Sequence, residues 1–582
     1  MKNINNVLLL LLCIPLFSCS SDGNDTNNQE PVEEQIASKP ATEGIRIAWD
    51  YASMTQISDK NNSDYNGYGR LIQLNDKKLI CTYESGGAIL VKISNDLGKT
   101  WSDAVKAVSG TAAVNMTTPD IVLLQDNSIL ICYNPRPIAG SGEKFSINTV
   151  KSVDGGLTWS DNKKVYEADS DFGNGCWEPS ALQLPGGEIQ LFFSNENVYR
   201  NSDEQNISLL RSSDNGATWS AAPEIVSFRS GKRDGMPSPL LLKNQNEIVF
   251  SIEDNGVNNQ FKPYIIRNTI AENWKQIVDG SSSNRNYALT EELNNAVYAG
   301  APYLVQLSTG EVLMSYQGTE NRATNDINNA EMKIVIGNNQ ARNFNRKSVP
   351  FLISSGKSAL WNSITVLDDD TVVALTTTNQ FGNASQVWMI KGHVVPEINA
   401  ENETVTIDGQ TNEVIWQKKL PVFIGQTGAT QLQANFSYDA SFLYVLAKVK
   451  DSQITNVNAI SESDGFNLYL DPKNKNLIAP GKSIFKLELG QTALFSMSEG
   501  ENSKWKKLQN PQGVVINVAK TANGYQVETK IPWTLLGGMP AKQARIGYNI
   551  ELRERGFANY TENISNNING QPYTWSTLKL NN

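Results

Sequence analysis

One histidine, His393, stands in 582 residues, and no Cys-x-x-Cys pair accompanies it. A zinc site therefore has almost no nitrogen or sulfur ligands to draw on, and no metal or cofactor is expected. Cysteine is scarce too. Beyond the first residues the cysteines are Cys19, Cys81, Cys132 and Cys176. Cys81 in Leu79-Ile80-Cys81-Thr82-Tyr83 and Cys132 in Leu130-Ile131-Cys132-Tyr133 share an apolar strand context. They read as buried core thiols rather than nucleophiles, with a disulfide left open. The formal charge is −10 and no Lys/Arg run or basic stripe occurs, which argues against nucleic acid as a partner. The apolar stretch near the start falls short of the ~20 residues that a membrane-spanning helix needs.

That short stretch has another use. Lys2, the apolar run Val7 to Leu12, and then Leu16-Phe17-Ser18-Cys19 read as a lipoprotein signal over residues 1–18, with Cys19 as the lipidated residue. Residues 19–42 are Ser, Asp, Asn, Glu and Pro with almost no large apolar side chain, as in a disordered tether. The expectation is a monomeric outer-membrane lipoprotein exposed at the cell surface, anchored to the membrane through its lipid.

What is abundant is repetition. Ser94-Asn95-Asp96-Leu97-Gly98-Lys99-Thr100-Trp101, Ser152-Val153-Asp154-Gly155-Gly156-Leu157-Thr158-Trp159 and Ser212-Ser213-Asp214-Asn215-Gly216-Ala217-Thr218-Trp219 recur about sixty residues apart. Asp and Gly at these offsets make a tight turn in which the Asp side chain bonds its own backbone. The pattern resembles the Asp-box of sialidase-like β-propellers, where it staples the outer hairpin of a blade away from the active face. Six strand-turn-strand phrases begin at Arg70, Pro119, Glu178, Met236, Ala301 and Trp361. They predict an all-β chain: a six-bladed β-propeller over 43–395, closed by a strand near Gly44 to Ala48 that joins Gln386 to Val395, followed by a β-sandwich over 400–582. Thr404 to Gly409, Phe442 to Asp451, Asp464 to Asp471, Gly524 to Glu528 and Ile531-Pro532-Trp533 resemble carbohydrate-binding module family 9. Trp416, Trp505 and Trp575 are its candidate binding aromatics, and a spacer sandwich without ligand is the alternative.

In a propeller the first strand of each blade is innermost, and it starts on the face where the second strand ends. Residues at those places converge on the channel mouth: Arg70 and Glu84, Asp120 and Arg136, Glu178 and Glu196, Asp234 and Glu253, Tyr303 with Tyr316 and Gln317, Trp361 with Asn362. Acids, arginines and aromatic platforms at one mouth suit an oligosaccharide or polysaccharide. Cys176-Trp177-Glu178-Pro179, Arg233-Asp234-Gly235-Met236-Pro237, Glu253, Ala301-Pro302-Tyr303 and Ser315-Tyr316-Gln317 together resemble glycoside hydrolase family 93, exo-acting arabinanases that retain anomeric configuration. The resemblance covers roughly residues 60 to 395. It implies Glu178 and Glu253 as the catalytic pair, about 5–5.5 Å apart, with Trp177, Asp234 and Tyr316 around the terminal sugar. Burial against Trp177 would raise the pKa of Glu178 and favour it as the acid.

Three other readings stand beside this one. A sialidase needs a triad of arginines for its substrate's carboxylate. Arg70 matches the first, whereas Tyr303 and Trp361 stand at the later places. A lyase or dehydratase on uronates would use Arg70, Arg136, Lys232 or Arg233 to neutralise a carboxylate and Tyr303 or Tyr316 as base. A surface glycan-binding protein would have aromatic platforms without a close carboxyl pair.

Overall fold

The computed structural model describes residues 45–581 apart from 60–63, 258, 419, 426–429, 456, 458, 478, 557–558 and 565–566. Cys19, the signal segment, the tether and Gly44 lie outside the described residues. Five four-stranded antiparallel sheets follow one another along the chain, with innermost strands Asn66–Gln73, Val114–Leu123, Cys176–Gln183, Asp234–Leu241 and Ala299–Gln306. A sixth blade is assembled from both ends of the propeller. Its strands Ala359–Val366, Val372–Thr378 and Gln386–Asn402 are completed by Ile45–Gln56, which pairs antiparallel from Ile45↔Pro396 to Gln56↔Trp388. Trp49 on that closing strand is fully buried, so the seam is sealed by apolar packing as well as by the ladder.

Each box turn follows a blade's third strand, and its side chains satisfy the turn's own backbone. Ser152 Oγ accepts the Gly156 N–H at 2.9 Å, while Asp154 Oδ1 accepts the Thr158 N–H at 2.9 Å. The same bonds recur at Ser94 with Gly98 and at Ser212 with Gly216. Third strands run away from the mouth, so these turns lie on the opposite face. Cys81, Cys132 and Cys176 are buried free thiols, and burial pushes the Cys81 thiol up to about 12. They are core residues and not nucleophiles.

The last propeller strand does not stop at Val395. It runs on to Asn402, where Glu397–Ala400 pair parallel with Thr577–Leu580 and Glu401–Asn402 pair with Ser437–Tyr438. One strand thus belongs to the sixth blade and to both sheets of the following sandwich. Those sheets close on a core that includes Phe436, Val445, Phe466, Leu468, Val527 and Ile550.

Candidate active site

All six innermost strands are broken at the same place. Their pairing with the second strand shifts by one residue between Gly67 and Arg70, Thr117 and Asp120, Trp177 and Ser180, Gly235 and Ser238, Gly300 and Tyr303, and Leu360 and Ser363. The first residue of each bulge holds a positive φ: Tyr68 53°, Thr118 46°, Glu178 44°, Met236 51°, Ala301 48° and Trp361 53°. A left-handed conformation at six non-glycine residues is costly unless the surroundings enforce it. They do so through the N–H groups freed from the ladder. Thr118 N donates to Glu84 Oε2 (2.7 Å), Met236 N to Ser194 Oγ (3.0 Å), Ala301 N to Glu253 Oε2 (2.9 Å), Trp361 N to Gln317 Oε1 (2.7 Å) and Tyr68 N to Thr377 Oγ1 (3.1 Å). In each case the acceptor comes from the second strand of the preceding blade.

The bulges give the channel two rings of side chains. The upper ring is Tyr68, Thr118, Glu178, Met236, Ala301 and Trp361. Two residues further along, Arg70, Asp120, Ser180, Ser238, Tyr303 and Ser363 form the lower one. The lower ring is tied together across the axis. Tyr303 donates its hydroxyl to Asp120 Oδ1 at 3.1 Å from the opposite blade, and Ser180 donates to Asp120 Oδ2 at 2.5 Å. Arg70 lies 3.9 Å from Asp120, stacks its guanidinium on the Tyr303 ring at 5.1 Å, and donates to the carbonyls of Gly69 and Trp361. The channel is therefore plugged, and what opens above the plug is a shallow cup lined by both rings, with Asn362 standing for the sixth blade in place of Trp361 and Ser363.

Glu178 stands in the wall of the cup. Arg136 Nη2 donates to its Oε1 at 3.0 Å, and that guanidinium lies 4.8 Å above the Trp177 ring. Burial raises the pKa of Glu178, and the Arg136 charge opposes the rise. Glu253 has no cation in bonding range among the described residues. Burial pushes its carboxyl up to about 7, the bond from Ala301 opposes this, and the charge of Glu178 adds to it. The expectation that Glu178 would hold the proton thus meets a guanidinium that favours its charged form, while Glu253 reaches the neutral range. Glu196, bonded to Arg233 and to Gln205 Nε2 at 3.0 Å, completes an acid–arginine cluster on the rim.

The structure brings Arg70, Asp120, Glu178, Tyr303 and Asn362 to the cup, with Arg136, Glu253 and Trp361 beside them. Trp361 stacks on Tyr68 with ring centres 4.9 Å apart. Trp177 is buried behind Arg136 and supports it rather than lining the cavity. Three expectations need correction. Asp234 is fully buried with both oxygens taken by Arg285, because it precedes the bulge, at a position buried in every blade. Tyr316 is fully buried and gives its hydroxyl to Glu320 at 2.5 Å. Gln317 is spent holding Trp361 N and the Tyr298 hydroxyl. In the sandwich, Trp416 and Trp575 are core residues at 2% and 0% exposure, and Trp505 packs beside Tyr469. Sequence reasoning missed Tyr68, Thr118, Met236 and Tyr298.

Residues 139–245 match the family model of a BNR repeat-like domain, and residues 407–580 match that of a carbohydrate family 9 binding domain-like module. None of the curated proteins matches. Among solved structures the chain is similar to an α-L-arabinanase of Penicillium chrysogenum, at 16% identity over 60% of this chain and 98% of that one, TM-score 0.44. A second is a family 93 α-L-arabinofuranosidase of Fusarium graminearum, at 17% over 58% and 96%, TM-score 0.42. A family 9 carbohydrate-binding module of Caldicellulosiruptor kristjanssonii follows, at 19% over 32% and 95%, TM-score 0.27.

Proposed function

We propose that this protein is a retaining glycoside hydrolase that removes the terminal sugar of an oligosaccharide, with Glu178 and Glu253 as acid/base and nucleophile. The observation that carries the reading is a pair of half-buried carboxyls on neighbouring blades at one mouth, one bonded to a guanidinium and the other raised to about 7 by burial with the charge of the first adding to the rise. Such a pair is what the reaction requires, since one carboxylate must attack the anomeric carbon while the other protonates the leaving oxygen. The plug of Tyr303 and Asp120 supports an exo mode, because a chain cannot thread past it. Tyr68 of the first blade lines the cup and is backed by Trp361 of the sixth, the blade opposite Glu178, which gives that side an aromatic wall.

Elimination and sialidase chemistry fit the mouth less well. Tyr316 is bonded to Glu320 and Tyr303 to Asp120, and burial pushes both phenols up, which removes the two candidate bases. Arg70 commits Nη1 to two backbone carbonyls and faces Asp120 at 3.9 Å, so its guanidinium already has a protein carboxylate beside it. The sandwich is proposed as a sugar-binding appendage, and Cys19 as the site of lipidation. Loss of membrane association in Cys19→Ala tests the latter.

The test is incubation with arabinan, sialoglycan and uronate oligosaccharides, with products read by mass. Hydrolysis adds water, a lyase splits the chain without it, and a dehydratase loses it. Glu178→Gln and Glu253→Gln should each lower turnover by at least about 100-fold while leaving the fold intact. In Glu→Ala variants, azide should restore turnover for the nucleophile with inverted product, and for the acid/base with retained product. Full activity of both glutamine variants refutes the assignment.

A further inference from the structure

The rim of the third blade carries an aromatic ring that rests one side on the core residues Phe145 and Trp177 and leaves the rest in solvent. Phe172 is 74% exposed, yet it is held firmly. It opens a 3-10 turn, Phe172–Asn174, on the loop that crosses from the second blade to the innermost strand of the third, the strand bearing Glu178. Asp171 caps that turn by accepting the Gly173 N–H at 3.0 Å. Asp169 accepts the N–H groups of Ser170 at 2.7 Å and Asp171 at 3.2 Å, and it also binds Arg200 from the loop that leaves the blade's second strand. The second loop carries Val198, 53% exposed, and the neighbouring blade adds Ile138, 40% exposed, just past Arg136. Single exposed apolar residues are ordinary; three on the loops that end at one mouth, one of them an anchored aromatic ring, are less so.

Phe172 is joined to Glu178 by a chain of contacts. The Phe172 ring is centred 4.8 Å from Trp177, Trp177 lies 4.8 Å under the Arg136 guanidinium, and Arg136 is bonded to Glu178 at 3.0 Å. A sugar seated in the plugged cup can continue only across the rim. The rim loop that leads directly into the strand of Glu178 is the one bearing Phe172. Pyranose and furanose rings both present C–H faces that pack on an aromatic face held in place beforehand.

We infer that Phe172, with Val198 and Ile138, is a leaving-group platform that binds the second and third sugars of the substrate, so that the protein prefers oligosaccharides to simple glycosides. This rests on the hydrolase reading above and adds a residue-level specificity to it. The test compares arabinopentaose with para-nitrophenyl α-L-arabinofuranoside on the mature chain. Phe172→Ala should raise KM for the pentaose about five- to tenfold at unchanged kcat, the pattern of lost uniform binding. KM for the aryl glycoside should stay the same, and Phe172→Trp should restore the pentaose KM. As an exposed residue Phe172 tolerates both changes, which circular dichroism checks. Turnover of both substrates by the wild type with no pentaose-specific change in Phe172→Ala overturns the platform alone. Turnover of neither overturns the arabinose-specific hydrolase reading and the platform with it.

Discussion

Glu253 is held from both sides by glycines. A Cβ on Gly300 would stand 2.4 Å from Glu253 Oε2 and 2.5 Å from the Tyr298 hydroxyl, whereas one on Gly235 would meet Glu253 Cγ and Oε1 at 3.1 and 3.2 Å. Gly300→Ala must therefore displace the carboxyl from the Ala301 N–H. Because a shift of about 1 Å in a reacting group can cost about 100-fold, kcat should fall by at least about tenfold with little change in melting temperature. Gly235→Ala, with softer contacts, should lose less; equal activity of both variants and the wild type would detach Glu253 from the chemistry. The same carboxyl makes a second prediction. Its folded pKa of about 7 lies above the value of about 4.3 for an unfolded glutamate, so the folded state binds the proton more tightly. Its contribution to stability is complete below pH about 4.3 and is lost as pH rises toward 7. Glu253→Gln keeps an acceptor for Ala301 N but carries no charge. Its melting temperature should match the wild type near pH 4 and exceed it by a few degrees at pH 8, as read by scanning calorimetry. A difference that does not change with pH would mean that the carboxyl is not held in a proton-binding environment.

The box turn and the bulge are the two elements that set each blade, and they differ in how plainly they are written. In the second box Asp154 accepts from Leu157 and Thr158 backbone N–H groups and from the Thr158 hydroxyl, all within the turn. Asp154→Ala should lower the melting temperature and leave kcat and KM untouched, since the turn faces away from the mouth. A change in kcat without one in stability would contradict this division of labour. These local bonds are why the repeat, the blade count and the outer hairpins could be read directly from Ser, Asp, Gly and Thr at fixed spacing. The closing strand was legible too, because the sixth phrase lacked an outer partner. The bulge was not. Taking the start of each innermost strand as the mouth puts Asp234 there, but the one-residue bulge that aims the next side chains inward comes after it, and its equivalents Asn66, Met116 and Cys176 are all buried. The same reasoning placed Tyr316 at the mouth, whereas its equivalents Tyr83, Tyr133 and Phe193 show that this second-strand position is core in blade after blade. A signal was present: Thr118-Pro119, Glu178-Pro179, Met236-Pro237 and Ala301-Pro302 put proline second in four of the six bulges. Proline has no N–H to lose there, so it marks a break in the ladder.

At the scale of the whole described chain, the propeller and the sandwich share a strand instead of a linker, and a buried charge pins the joint. Glu397 sits on that strand at 6% side-chain exposure, and its Oε2 accepts from Arg346 of the fifth blade at 2.9 Å and from Arg545 of the sandwich at 2.7 Å. Arg346 also donates to Thr577 at 2.8 Å, and Arg46 reaches Asn476 at 2.8 Å and the Trp575 carbonyl. Burial lowers the pKa of Arg346 to about 10 even with Glu397 opposing, a measure of how far from water the group lies. Removing the carboxylate charge leaves two guanidinium groups facing each other out of solvent. Breaking a buried ion pair from one side costs about 3–5 kcal/mol. Because the strand commits its two halves to different domains, that cost should fall on both together. Scanning calorimetry of the wild type should show one cooperative transition, and Glu397→Gln should move the whole of it down by roughly 3–4 °C, at about 1 °C per kcal/mol for a cooperative unit of this size. Two resolved transitions, with the substitution shifting only one, would mean that the strand passes between independently folding domains without coupling them. In that case the orientation of the sandwich relative to the cup would be free to change with substrate.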